Sequence, residues 1–154
     1  MRAKFKYLLL GLIIWSKISF CQTDSVEFYI NKLDWGSFEE ATNYFPQLVS
    51  FNTINKLIEI KDTSKIDKLV NGLGDPNKTV AIHIVLTKIF DTSSVRFGRS
   101  EVSKGSSTIQ YMFNGLIWTR DYKNKVKGEG KVKKEAIEAI IKYWRGRLIS
   151  NVSD

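Results

Sequence analysis

Two spacings of apolar residues divide the chain. Over residues 22–91 they recur every three or four positions, the period of a helix face, whereas over residues 92–130 they fall in short runs bounded by turn formers, as strands do. Val26 to Leu33 reads as a helix, followed by a break at Asp34-Trp35-Gly36. Ser37 then stands as an N-cap with Glu39 and Glu40 in the first turn, where negative charge suits the dipole, and predicts a helix that stops before Pro46. Between Val49 and Ile60 the β-branched content suits a strand, but Phe51, Ile54, Leu57 and Ile58 keep helical spacing, and a helix is preferred.

The clearest unit runs from residue 64 to residue 90. Ile66, Leu69, Val70 and Leu73 make one apolar stripe, closed by Gly72 and Gly74. Asp75 as N-cap and Pro76 at the first helical position open the next helix, which runs to about Phe90. Its apolar residues (Val80, Ala81, Ile82, Ile84, Val85, Leu86, Ile89, Phe90) cover most of the circumference, so it is expected to be buried from more than one side.

Beyond Asp91 the residues become small and polar, and a strand is expected around Val95 to Val102. Residues 109–120 read as a hairpin, because Asn114-Gly115 between two apolar, aromatic runs supplies both turn positions that need φ > 0. Tyr122 to Gly130 reads as a loop and Lys131 to Ser150 as a closing helix, with Val132, Ala136, Ile137, Ile140, Ile141, Trp144 and Leu148 on its apolar side. The expected architecture is α+β: N-terminal helical pairs packed on a small antiparallel sheet, with a closing C-terminal helix.

Leu73, Asp75-Pro76, Val80, Ile84 and Leu86 resemble, in order and spacing, the turn and second helix of a HEAT or armadillo-type repeat. The segment departs from that family by carrying Ile82 and Ile84 where Ala is usual, and by lacking an Arg after Val80. The resemblance covers residues 64–90 and implies one helical-hairpin layer with protein-binding relatives.

The N-terminus alters the charge argument. Arg2, Lys4 and Lys6 precede an apolar run from Tyr7 to Trp15, too short for the roughly 20 residues of a membrane span. With Ser19 and Cys21 two apart, residues 1–21 resemble a bacterial secretion signal cleaved before Gln22, and the expected location is periplasmic or extracellular. A lipoprotein reading through Cys21 is weaker, because bulky Phe20 stands where a small residue is needed. Residues 22–154 are then one domain of two halves. The chain's formal charge of +8 falls to +4, since four of the 24 basic residues and none of the 16 acids lie in the signal. Within the domain, residues 22–91 carry 7 basic and 10 acidic residues and residues 92–154 carry 13 and 6, balances of −3 and +7.

A single cysteine and a single histidine exclude zinc fingers, disulfide scaffolds and multi-histidine centres, and no phosphate loop or metal-ligand spacing occurs, so no metal and no cofactor is expected. Thr79, His83 and Thr87 form a polar stripe on an apolar helix. It is either the floor of a groove or a general base or, preferred here, a histidine hydrogen-bonded to a carbonyl or threonine where the helix meets solvent. The hairpin aromatics Tyr111, Phe113 and Trp118, with Arg120, Lys123, Lys125 and Lys127, are the expected contact surface. They would suit an acidic protein or an anionic envelope polymer, with no nucleic acid expected. The function expected from the sequence is a non-enzymatic, inhibitor- or immunity-like binding module of the cell envelope. The alternative is a small hydrolase of an envelope polymer using Asp34, Glu39 and Glu40 around Trp35.

Overall fold

A computed structural model describes residues 26–40, 46–49, 51–60, 63–90, 96–123 and 128–151. The N-terminal signal reading, residues 1–21, lies outside them. Residues 26–31 are helical (α1), followed by β1 (Phe38–Glu39), β2 (Gln47–Leu48), α2 (Phe51–Ile58), α3 (Thr63–Gly72) and α4 (Thr79–Ile89). Then come β3 (Phe97–Glu101), β4 (Thr108–Phe113), β5 (Leu116–Asp121), β6 (Gly130–Val132) and α5 (Lys134–Asn151). β3 to β6 form an antiparallel sheet in sequence order, and β1 pairs with β2 separately. The fold is α+β, as the sequence led us to expect. None of the described helices is long and apolar enough to cross a membrane.

α4 is the central element. Every residue from Thr79 to Thr87 is buried, and the helix touches α2, α3 and β5. Its all-round apolar character thus has a neighbour on each side. α5 closes the other flank against α3 and β5, burying Ile137, Ile140, Trp144 and Leu148. The sheet's inward face contributes Ile109, Tyr111, Phe113, Leu116 and Trp118 to the same core.

Three local expectations need correction. The segment after Ser37 begins as strand β1, because the Ser37 hydroxyl turns back: it accepts from the Asp34 backbone N–H at 2.9 Å and donates to Asp34 Oδ1 at 3.1 Å. A serine committed to the preceding turn cannot cap a helix after it. The helix expected at Asp75-Pro76 starts instead at Thr79, after a turn in which Asp75 Oδ1 accepts from the Asn77 backbone N–H at 3.0 Å. The Asp75 carbonyl already accepts from the Thr79 N–H at 2.9 Å, so the difference is one turn at a frayed end. Finally, residues 130–132, read as loop and helix start, form β6.

The hairpin turn is as its sequence requires, with Asn114 at φ 43° and Gly115 at φ 87°. Gly115→Val places a β-branched side chain where left-handed backbone costs ~1–2 kcal/mol. The expected result is a Tm lower by several degrees in thermal unfolding; an unchanged Tm would contradict the turn.

Candidate functional site

Strand alternation decides which hairpin residues are available. In the observed registers Tyr111 pairs with Trp118, and Phe113 with Leu116. All four face the helices and are buried, Trp118 with 1% of its surface exposed. Tyr111 stacks on Trp118 at 5.5 Å between ring centres, and Phe38 meets Trp118 edge-on at 6.1 Å. The expected aromatic contact surface is therefore core packing. The period-two spacing of Ile109, Tyr111 and Phe113 was the signal that places them inward.

Arg120 shares this inward face, two positions after Trp118, and is only 3% exposed. Its Nε lies 2.7 Å from Glu40 Oε1, a close ion pair not aligned as a hydrogen bond. Nη2 donates to the Trp35 carbonyl at 3.2 Å and Nη1 to the Gly128 carbonyl at 3.3 Å. The guanidinium also lies over the rings of Trp35 (5.0 Å) and Phe38 (5.4 Å). One cation thus ties the segment around Trp35, β1 and the approach to β6 onto β5. Gly130 completes the arrangement: it lies so close beneath the Trp35 indole that a Cβ would overlap ring carbons Cζ3, Cη2 and Cε3.

A hydroxyl chain borders the ion pair. The Tyr111 and Tyr122 hydroxyls hydrogen-bond at 2.7 Å, and the Tyr122 hydroxyl lies 3.5 Å from Glu40 Oε2. Burial, then the Tyr111 hydrogen bond and the nearby Glu40 charge, push the Tyr122 phenol well above the usual tyrosine range, so it remains a protonated donor. Among the described residues no acceptor faces the buried indole N–H groups of Trp35 and Trp118.

The other acids near Trp35 have separate tasks. Asp34 Oδ1 accepts from the Gly36 backbone N–H at 2.8 Å, while Glu39 is exposed. Asp34, Glu39 and Glu40 therefore do not converge as a group of free carboxylates.

The polar stripe on α4 is wholly internal. Thr79 Oγ1 lies 2.8 Å from both the Leu73 and the Asp75 carbonyl oxygens, which share its one hydrogen, and Thr87 Oγ1 donates to the His83 carbonyl at 2.8 Å. His83 has 0% exposure and bridges three elements. Its Nδ1 lies 2.9 Å from Trp144 Nε1 on α5, and its Nε2 lies 3.0 Å from the Phe113 carbonyl at the end of β4. An indole nitrogen only donates, so Nδ1 is the acceptor and the imidazole hydrogen sits on Nε2, donating to Phe113. Burial lowers the His83 pKa from 6.5 to about 4, against smaller opposing contributions from the Phe113 and Asn114 backbone. The expected carbonyl partner is present, but the expected solvent boundary is not, and the stripe does not floor a groove.

What remains exposed is the sheet's other face. Across the strands, Gly98, Met112 and Ile117 form one row and Ser100, Gln110, Thr119 and Lys131 the next. Met112 is 37% and Ile117 42% exposed. Lys123 follows β5 at the surface with its ammonium 4.0 Å from Asp121, whereas Lys125 and Lys127 lie outside the described residues. The described residues hold no group of three or more metal-binding side chains. Comparisons with protein-family models, with curated proteins and with solved structures find no match to this chain.

Proposed function

We propose that the protein is a small exported binding module of the cell envelope, contacting an acidic partner through the outward face of its four-stranded sheet. The observation that carries this reading is the cross-strand pair Met112–Ile117, left open to solvent on a face that also carries Lys131, with Lys123 exposed beyond the end of β5. Apolar centres ringed by charge are the usual anatomy of a binding patch: the apolar pair supplies affinity and the lysines steer the encounter. Export rests on the N-terminal basic and apolar segment. The helical hairpin α3–α4, with its HEAT-like spacing, serves in this reading as the buried support of the sheet.

The test is retention from envelope extract by C-terminally tagged protein expressed with its own N-terminal segment, washed at low and at high salt. A partner held at high salt by the wild type and lost by Ile117→Asp supports the reading. Retention lost from the wild type at high salt would leave only screened charge contacts through the lysines. No retention, or equal retention by Ile117→Asp, overturns it.

A further inference from the structure

We infer that β3 is a pairing edge for a second copy of this chain, extending the sheet across a two-fold axis through Ser100. This goes beyond the proposed envelope partner, which is assigned to the outward sheet face and meets this edge only at its rim, Gly98 and Met112.

β3 ends the sheet, and no described strand pairs with its outer side. The Val102 N–H donates to the Thr108 carbonyl and the Asn114 N–H to the Arg96 carbonyl, so the even-numbered residues point their backbone groups at β4. By antiparallel alternation, the N–H and C=O groups of Phe97, Arg99 and Glu101 point outward, a template for another strand. The opposite edge is poorer, since β6 has 3 residues and its Gly130 lies under Trp35.

Charge and shape identify the occupant. Antiparallel pairing of β3 with itself about Ser100 places Arg99 opposite Glu101 of the other copy, and Glu101 opposite Arg99. Both side chains are exposed. Shifting the register so that Arg99 meets Arg99 would set like charges face to face, so the two residues select one alignment. The same register sets Val102 opposite Gly98 on the outward face. Val102 is 56% exposed, and a Cβ on Gly98 would lie 3.6 Å from Met112 Cε. The Val102 side chain of one copy would thus occupy the space that Gly98 leaves beside Met112 of the other. The contact is isologous and closes as a dimer, with no free β3 edge left to propagate.

A short strand pair buries little surface, so the dimer is expected to be weak and to be populated as protein concentration rises. Sedimentation equilibrium of the protein, purified as its own host processes it, reads the outcome over a wide concentration range. Arg99→Glu alone and Glu101→Arg alone should each weaken association at least tenfold. An equimolar mixture of the two should associate as the wild type does, because each copy then meets its complement. The mixture also controls for the exposed hydrogen bond from the Gly105 backbone N–H to Glu101 Oε2, which Glu101→Arg removes. A wild type that stays monomeric throughout, a dimer indifferent to both substitutions, or a mixture no better than either variant overturns the proposal.

Discussion

Arg120→Met is expected to destabilise the protein by about 3–5 kcal/mol, the cost of leaving one member of a buried ion pair without its partner. Methionine keeps length and apolar contact between the Trp35 and Phe38 rings, so lost volume is a minor part of the effect. What is lost is the cation 2.7 Å from Glu40 Oε1, together with the donors to the carbonyls of Trp35 and Gly128. Adding Glu40→Leu should recover much of the loss, because a double substitution removes the stranded charge as well as the pair. Denaturant midpoints at constant m-value would measure both variants. A single variant within 1 kcal/mol of wild type, or a double variant worse than the single, would contradict the reading of Arg120 as a clamp.

The second large effect is acid sensitivity through His83. Unfolded, its imidazole binds a proton near pH 6.5; folded, only at about 4. Between those values the unfolded chain carries more protons, so stability is complete above pH 6.5, falls as pH is lowered through the window, and levels off below the folded pKa. Integrated over the window, the loss is about 3 kcal/mol. The structural reason is burial, which disfavours the charged imidazole; a proton added at Nδ1 would also face the Trp144 N–H that it now accepts. Because the chain has one histidine, the titration can be assigned. Unfolding free energies of wild type and His83→Gln, measured from pH 7.5 to 4, should converge as the wild type loses stability. Curves that stay parallel would show that His83 does not titrate on unfolding.

The legible parts of the fold were those whose cause is local. Asn114-Gly115 announces its turn, the stripe Ile66, Leu69, Val70, Leu73 its helix, and the all-round apolar α4 its central position. Where a helix was expected to start after Ser37, Phe38–Glu39 is strand instead, because two side chains that look like a cap and a first turn are committed elsewhere, Ser37 to Asp34 and Glu40 to Arg120. Nothing within the local window reveals the second commitment.

The site was less legible for the same reason. Residue type picked out Tyr111, Trp118, Arg120 and His83 as unusual, and reading the first three as a contact surface passed over the alternation that turns them inward. Alternation puts Arg120 on the face of Leu116 and Trp118, a signal the contact-surface expectation did not use, and an inward arginine implies a carboxylate facing it. Which carboxylate, and that Trp144 would meet His83, are facts of packing between distant segments. The exposed pair Met112–Ile117 comes from the same alternation, read on the opposite face.

The Arg120 clamp also bears on the order in which the molecule assembles. Its bond to the Trp35 carbonyl joins residues 85 apart in sequence, whereas the hairpin closes across two. Long closures carry the larger entropic cost and gain their contacts only after the surfaces on both sides exist. The clamp is therefore expected to form late, and weakening it should act on the rate of escape from the native state far more than on the rate of reaching it. In kinetic terms Arg120 would then work as a latch, doing little to guide the chain into its fold and much to keep it there.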